Sequence, residues 1–133
     1  MMVDVNGMKS TNDTFGHAAG DELLRRTAQV LKLSFRKEDI IARIGGDEFV
    51  VLFQGSISLQ EANQRVQDCL AEHNHWYHGA ALSLAIGSAS GIKGSSLIEL
   101  FKKADQQMYK EKLHSRNAKE EGRRDPANGE PDR

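Results

Sequence analysis

The sequence predicts one α+β domain, in which helices cover a central, mainly antiparallel sheet. Two observations carry this prediction: short apolar runs alternate with amphipathic helical patterns along the chain, and a Gly-Gly turn joins two of the runs. A chain of 133 residues is long enough for one hydrophobic core and too short for two large ones. We place the domain in residues 1–117 and expect the charged residues 118–133 to form a disordered tail.

The chain begins with a predicted strand, loop and helix. Residues 1–5, which are apolar except for Asp4, are typical of a short strand, and Asn6-Gly7 ends it. Apolar side chains then recur at helical spacing from Leu24 to Phe35, which predicts an amphipathic helix over residues 21–36. His17 falls in the loop before that helix, where we expect a structural role.

Two apolar runs in the middle of the chain predict a β-hairpin. They cover residues 40–44 and 49–53, and Gly45-Gly46-Asp47-Glu48 lies between them. Two glycines can supply the positive φ angles that tight hairpin turns require. We therefore expect Asp47 and Glu48 in or beside a turn at the edge of the sheet.

The second half of the chain predicts two capped helices with a strand between them. Ser58 and Glu61 form one capping-box pattern, and Ser96 and Glu99 form another. Small and apolar residues over 80–89 predict the intervening strand. We expect Met108 and Tyr109 of the last helix in the core. The order is thus strand, helix, hairpin, helix, strand, helix.

Composition excludes several classes of protein. The formal net charge of -1 leaves no general basic field for nucleic acid. No apolar run approaches the length of a membrane span, about 18 residues, and the start lacks the pattern of a signal peptide. The single cysteine, Cys69, has no partner for an internal disulfide. We expect a cytoplasmic segment without membrane contact, although the parent protein could still be membrane-anchored.

Two carboxylates are the first candidates for chemistry. Asp4 ends the first strand and Asp47 lies in the hairpin turn, so an antiparallel sheet can bring both to one edge. Close like charges need a cation between them, and oxygen ligands favour Mg²⁺ over zinc. The pair alone leaves two interpretations open: a metal and phosphate site, or a turn whose acids point to water.

Three separated segments resemble the GGDEF domain, the catalytic domain of bacterial diguanylate cyclases. They are residues 4–21, which contain DVNGMK and NDTFGHAAGD; residues 43–49, RIGGDEF; and residues 104–117, ADQQMYKEKLHSRN. The resemblance covers nearly all of the chain between Asp4 and Asn117. It implies a ferredoxin-like, polymerase-palm-like nucleotidyl cyclase fold and a role in bacterial signal transduction.

The resemblance also implies an activity: two GTP molecules condense to cyclic di-GMP and release pyrophosphate. Two Mg²⁺ or Mn²⁺ ions per active site would be held by Asp4, the carbonyl of Val5 and Asp47. Glu48 would help either metal binding or deprotonation, and the resemblance leaves both roles open. Each domain would hold one GTP, so a homodimer would be needed for catalysis.

The remaining GTP contacts follow from the same resemblance. Backbone N–H groups of Gly7 and Met8 would approach the β- and γ-phosphates. Asn12 and Asp21 match guanine contacts, and a carboxylate there would accept hydrogen bonds from guanine that adenine cannot donate. Basic side chains at Lys9, Lys112 and Arg116 would lie near the phosphates.

A second site is implied by Arg36 and Asp39, which match the RxxD inhibitory site of the family. Arginine can donate a bidentate pair to guanine, so this site would bind the product and give feedback inhibition. Arg65 on the following helix is a further candidate member. Without the resemblance, an arginine at a helix end beside a loop aspartate is the simpler interpretation.

The sequence departs from the family at its start and at two positions. Family members carry a further helix and a D-x-L-T-x-L-x-N-R segment before the first strand, so we expect an N-terminally truncated domain of reduced stability. An upstream sensory or dimerisation domain would then be missing. Asn6 replaces a common acid, and Ser115 replaces a glycine before Arg116.

Two alternative functions stay open at this stage. The first is a non-catalytic module that binds GTP or cyclic di-GMP and regulates a partner domain. The second is a polymerase-like palm, which the near-neutral charge and the lack of interleaved aromatic and basic residues disfavour. His73, His75 and His78 surround Trp76, but no cysteine or acid stands at zinc-ligand spacing, so we expect a solvated loop.

Overall fold

The structure is a computed structural model, and it describes residues 1–122. Its secondary structure confirms the predicted α+β class. In chain order the elements are β1 (Met2–Val5), α1 (Met8–Phe15), α2 (His17–Ser34), β2 (Ile40–Arg43), β3 (Glu48–Leu52), α3 (Leu59–Trp76), β4 (Leu84–Gly87) and α4 (Leu97–Glu121).

The four strands form one antiparallel sheet in the order β2-β3-β1-β4. The first strand therefore lies inside the sheet, with β3 on one side and β4 on the other. Asp4 pairs in register with Glu48 of β3 and with Ala85 of β4. This register sets the end of β1 directly beside the start of β3, where the hairpin loop ends.

Helices cover both faces of the sheet because successive strand residues point to opposite sides. Val3 and Val5 belong to the larger core cluster, which also contains buried residues of α2 and α3. Met2 belongs to the smaller cluster under α4, together with Ala104 and Met108. By the same alternation Asp4 points to the α4 side of the sheet.

The sequence prediction missed α1, and it began the next helix four residues late. None of the α1 side chains is buried, so the segment shows no apolar stripe. Two glycines set its bounds: Gly7 has φ 74° before it, and Gly16 has φ 88° between α1 and α2. His17 is consequently the first residue of α2 and not part of a loop.

The predicted hairpin is confirmed, but its glycines do not act as expected. Gly45 and Gly46 are not among the positive-φ glycines. The connection from Ile44 to Asp47 has four residues, and the Ile44 N–H donates to the Glu48 carbonyl at 2.9 Å. A loop of this length turns without the left-handed pair that a two-residue turn requires.

The later elements agree with the prediction in position but differ in length. The capping box of Ser58 and Glu61 is complete, and the Ser96 side chain accepts from the Glu99 N–H at 3.4 Å. The strand predicted over 80–89 is shorter, Leu84–Gly87.

The last helix continues past the expected domain end at residue 117 and reaches Glu121. Its final turns are exposed and rich in residues with high helix propensity, so they need no apolar stripe to stay helical. The rest of the expected tail, residues 123–133, lies outside the described residues.

Other predictions about single side chains have mixed outcomes. Met108 is 4% exposed, as expected, whereas Tyr109 is 62% exposed and the prediction that it lies in the core is wrong. Neighbouring helix residues point about 100° apart, so both cannot face the sheet. His73 and His75 lie in the last turn of α3 and not in a loop. Within residues 1–122, no helix combines the length and hydropathy needed to cross a bilayer.

Candidate functional site

Three acidic side chains meet where β1 ends and β3 begins. Asp4, Asp47 and Glu48 each offer a carboxylate oxygen, and these oxygens all lie within 4.8 Å of one another. Strand pairing brings Glu48 to Asp4, and the Val5 N–H donates to the Asp47 carbonyl at 2.9 Å. The sheet thus brings the two aspartates together at one end of its two central strands, as the sequence predicted for an antiparallel sheet.

Asp4 is the buried member of this acid cluster. It is 4% exposed, and its Oδ2 forms an ion pair with the Lys112 ammonium of α4. Its Oδ1 is buried and has no hydrogen-bond partner among the described residues. Burial raises the pKa of Asp4, the Lys112 ammonium lowers it, and Asp47 raises it again, with a net upward result. One ammonium therefore does not satisfy the carboxylate, and the site fits additional positive charge.

A cleft of about 840 Å³ opens beside the acid cluster, and we call it the phosphate cleft because its basic lining suits an anionic ligand. The start of α1 forms one wall, where the free backbone N–H groups of a helix end favour negative charge. Gly7 has open space where a side chain would stand. The lining includes Val5, Gly7, Met8, Lys9, Asp47, Lys112, Arg116 and Lys119.

Lys119 is a cleft residue that the sequence analysis missed. It follows Lys112 and Arg116 at steps of four and three residues, the spacing of one helix face. This spacing is visible in the sequence, but the predicted domain ends at residue 117 and so leaves Lys119 out. The continuation of α4 to Glu121 carries Lys119 to the same cleft.

The two residues expected at guanine belong to the α1–α2 pair and do not line the phosphate cleft. Asn12 lies on α1, and its Oδ1 is buried without a partner among the described residues. The backbone of Gly20 approaches it so closely that a Cβ there would lie 1.9 Å from Asn12 Oδ1. Asp21 lies one residue further along α2 and is exposed.

A second cleft, of about 480 Å³, approaches the acid cluster from the side of α4. Asp4 and Glu48 line it together with the exposed Tyr109, whereas Asp47 lines the phosphate cleft. Lys112 borders both clefts. The hairpin thus presents its two adjacent acids to different sides of the cluster.

The residues expected at an inhibitory site are only partly brought together. The Arg36 N–H donates to Asp39 Oδ2 at 2.8 Å, and the Asp39 N–H donates to the Arg36 carbonyl at 3.1 Å, which closes a turn between α2 and β2. Arg36 and Arg65 line one cleft of about 390 Å³, and Asp39 does not line it. The same cleft includes the acids Glu61 and Asp68.

The chain is similar in sequence to known diguanylate cyclases. The family described as diguanylate cyclase, GGDEF domain, matches residues 1–118. Diguanylate cyclase DgcS of Shewanella oneidensis is 31% identical over 118 residues, which cover 88% of this chain and 40% of DgcS. Diguanylate cyclase DgcP of Pseudomonas aeruginosa is 35% identical over 87% of this chain and 18% of DgcP. The chain thus spans less than half the length of either curated relative.

A solved structure shares the fold of this chain. It is the structure of a microbial GGDEF domain that shows a novel interaction mode with bis-(3,5)-cyclic di-GMP. It superposes with a TM-score of 0.71 at 33% identity, over 85% of this chain and 69% of the other. Together with the family match over residues 1–118, this establishes that the chain belongs to the GGDEF domain family of diguanylate cyclases.

Proposed function

We propose that this chain is the catalytic domain of a diguanylate cyclase, which condenses two GTP molecules into cyclic di-GMP and releases pyrophosphate. One observation carries the proposal: a buried Asp4 carboxylate with an unpartnered oxygen lies within a cluster of acids, beside a cleft bordered by basic side chains. A cluster of carboxylates suits divalent metal ions, and the basic side chains beside it suit the triphosphate that such ions accompany. The named relatives support the same activity.

In this proposal Asp4, the Val5 carbonyl and Asp47 hold two divalent ions, Mg²⁺ or Mn²⁺. The donors are all oxygens, which suits these hard cations. When bound, the ions supply positive charge that acidifies an attacking hydroxyl and stabilises departing phosphate oxygens. Glu48, which lines the cleft on the other side of the cluster, assists at that side as a metal-orienting group or a proton acceptor.

The remaining residues bind and orient GTP. The backbone at Gly7 and Met8 receives the β- and γ-phosphates at the start of α1. Side chains of Lys9, Lys112 and Arg116 neutralise charge along the same cleft. Asn12 and Asp21 select guanine, because adenine would leave their acceptors unpaired.

The reaction joins two half-sites. The ribose 3′-oxygen of one GTP attacks the α-phosphorus of the other, a new P–O bond forms, and the bond to the β-phosphate breaks. Repeating the step in the opposite direction closes the ring and releases the second pyrophosphate. In the part of the chain that the structure describes, one cleft combines the acid cluster with basic side chains, so the proposal requires a homodimer that presents two such clefts to each other.

The cleft at Arg36 and Arg65 is the proposed product site. Two guanidinium groups can donate bidentate hydrogen bonds to guanine or phosphate. Asp39 supports the site indirectly. Its Oδ2 accepts from the Arg36 N–H and its own N–H donates to the Arg36 carbonyl, and these two hydrogen bonds hold the Arg36 backbone in its turn. Cyclic di-GMP bound at this cleft would lower the rate of its own synthesis.

The activity is tested with the chain fused to a dimeric coiled coil, which removes dimer formation as a variable. With GTP and Mg²⁺ we expect cyclic di-GMP and pyrophosphate, quantified by chromatography and a coupled phosphate assay. Asp47→Asn should lower turnover by roughly 100-fold or more, since it removes a proposed metal ligand. Glu72→Gln removes an exposed charge on α3 and should not change the rate.

Two outcomes would contradict the proposal. If the fused dimer binds GTP but yields no cyclic di-GMP, the chain is a binding module and not a cyclase. If Asp47→Asn turns over like the parent protein, the acid cluster is not the metal site.

A further inference from the structure

We propose that Lys112 is a stand-in cation: it neutralises Asp4 in the metal-free domain, and a divalent ion displaces it into the phosphate cleft. The proposal rests on the metal site proposed above and adds an exchange of partners to it. Binding of metal and of triphosphate would then be coupled through one side chain.

Asp4 requires a positive charge beside it. A carboxylate that is 4% exposed is costly to bury without a counter-charge, and two further acids lie beside it. Among the described residues, the Lys112 ammonium is the cation that forms an ion pair with it. Lys112 thus supplies in the metal-free state part of the charge that an ion would supply.

The Lys112 ammonium and a divalent ion would compete for the Asp4 carboxylate. The ligand oxygens of the acid cluster lie within 4.8 Å of one another, so an ion among them and an ammonium on Asp4 would be close neighbours. Like charges at that separation repel, most strongly where burial reduces solvent screening. The ion can add several carboxylate ligands, whereas within residues 1–122 the ammonium forms one ion pair, with Asp4.

The Lys112 side chain has a second position within reach, in the phosphate cleft. Its side chain is 36% exposed and borders both the cleft at Glu48 and the phosphate cleft. A lysine has a flexible four-carbon stem, so its head group can change partners while α4 stays in place. In the phosphate cleft it would join Lys9 and Arg116 and meet the incoming triphosphate.

The test measures Mn²⁺ binding without nucleotide, by calorimetry and by the electron paramagnetic resonance of free Mn²⁺. Lys112→Gln removes the competing cation, so Mn²⁺ should bind roughly five-fold more tightly or better. Lys112→Arg keeps a cation at this position and should retain affinity near that of the parent protein. Lys103→Gln removes an exposed charge from the same helix, away from both clefts, and should also bind like the parent.

The direction of the effect separates this proposal from a simple phosphate contact. A lysine that only binds phosphate would leave the Mn²⁺ affinity unchanged when nucleotide is absent. Equal or weaker Mn²⁺ binding by Lys112→Gln therefore overturns the stand-in role while leaving the metal site intact. Failure of the parent protein and both Lys112 variants to bind Mn²⁺ overturns the metal site itself.

A second measurement covers the case in which Lys112→Gln does not fold without metal. In the parent protein with ¹³C-labelled lysine, the Lys112 Cε signal, assigned by its absence in Lys112→Arg, should shift as Mg²⁺ is added without nucleotide. The Lys103 signal should stay in place. A Lys112 signal that does not move while Mg²⁺ binds would overturn the proposal.

Discussion

Arg26 is a charge that the fold buries without an acidic partner among the described residues. It is 3% exposed, its Nε donates to His73 Nε2 at 2.9 Å, and its guanidinium lies 3.5 Å from the centre of the Tyr77 ring. Its Nη2 has no hydrogen-bond partner within residues 1–122. A neutral imidazole and an aromatic face thus stabilise this cation, which makes the contact depend on the protonation of His73.

Acid should weaken this contact. Burial and the positive charge of Arg26 both lower the pKa of His73 below its usual 6.5. A lowered folded-state pKa means that the unfolded chain binds the proton more readily. The stabilisation by neutral His73 is therefore complete above about pH 6.5 and is lost as the pH falls through the lower folded-state pKa.

His73→Gln tests this dependence, because glutamine can accept from Arg26 and does not titrate. Urea unfolding at about pH 7.5 and about pH 5.5 should show a smaller loss of stability for His73→Gln than for the parent, by less than about 1 kcal/mol, since His73 is partly exposed. His75→Gln, a more exposed neighbour on the same helix, should behave like the parent. Identical pH dependence in all three proteins would exclude the His73 effect.

At the scale of the elements, the contact between β4 and α4 positions the basic wall of the phosphate cleft. A Cβ on Gly87 would lie 2.0 Å from the Ala104 carbonyl oxygen and 2.4 Å from the Met108 nitrogen. Both are backbone atoms of α4, so no change of side-chain rotamer relieves the clash. Gly87 thus allows α4 to lie directly against the sheet, with Lys112 beside Asp4.

Gly87→Ala should therefore push α4 away from the sheet. We expect a loss of about 1–3 kcal/mol in the free energy of unfolding, the usual cost of overpacking. GTP affinity should fall as well, because Lys112 and Arg116 move with the helix. Gly46→Ala is the matched control for stability, since a Cβ there meets nothing within 4 Å and its φ is not positive. Denaturant unfolding checks both, and equal stability of the two variants would contradict this account of the packing.

The elements also show why sequence periodicity predicted some helices and missed α1. A periodic signal needs a buried face, as in α2 and α3, where apolar residues recur at helical spacing. The α1 segment buries none of its side chains, and its bounds depend on the backbone conformations of Gly7 and Gly16. Tyr109 shows the converse: an aromatic residue beside the buried Met108 is exposed because the helix turns it toward the second cleft.

Across the whole molecule, the meeting of Asp4 and Asp47 could be predicted because an antiparallel sheet can bring the end of one strand beside a hairpin turn. The ion pair between Asp4 and Lys112 could not, since the partners are 108 positions apart and meet only when α4 packs on the sheet. Arg65 is a predicted member of the site at Arg36, but the shape of the cleft that the two arginines share depends on how α3 packs beside the turn after α2. Contacts between distant segments carry no local sequence signal of their own.

A short stretch of chain joins the Arg36 cleft to the hairpin beside the phosphate cleft, and this gives the proposed feedback a physical route. The turn at Arg36 and Asp39 leads directly into β2, and β2 leads into the loop that carries Asp47. β2 lies at the edge of the sheet and pairs with β3 alone. In the proposed feedback, a ligand bound at the Arg36 cleft would act on the hairpin through β2, and its effect would be set by the difference in its affinity for the active and inhibited conformations.

Arg36→Ala should relieve feedback inhibition of the dimeric fusion. With cyclic di-GMP added at increasing concentration, the half-inhibitory concentration should rise by roughly ten-fold or more, since a bidentate charged contact to the ligand is lost. Arg65→Ala should act in the same direction if both guanidinium groups contact one ligand. Arg25→Ala, an exposed arginine that pairs with Glu22 at 3.2 Å, is the matched control and should be inhibited like the parent. Inhibition that persists in both Arg36→Ala and Arg65→Ala would place the product site elsewhere on the domain.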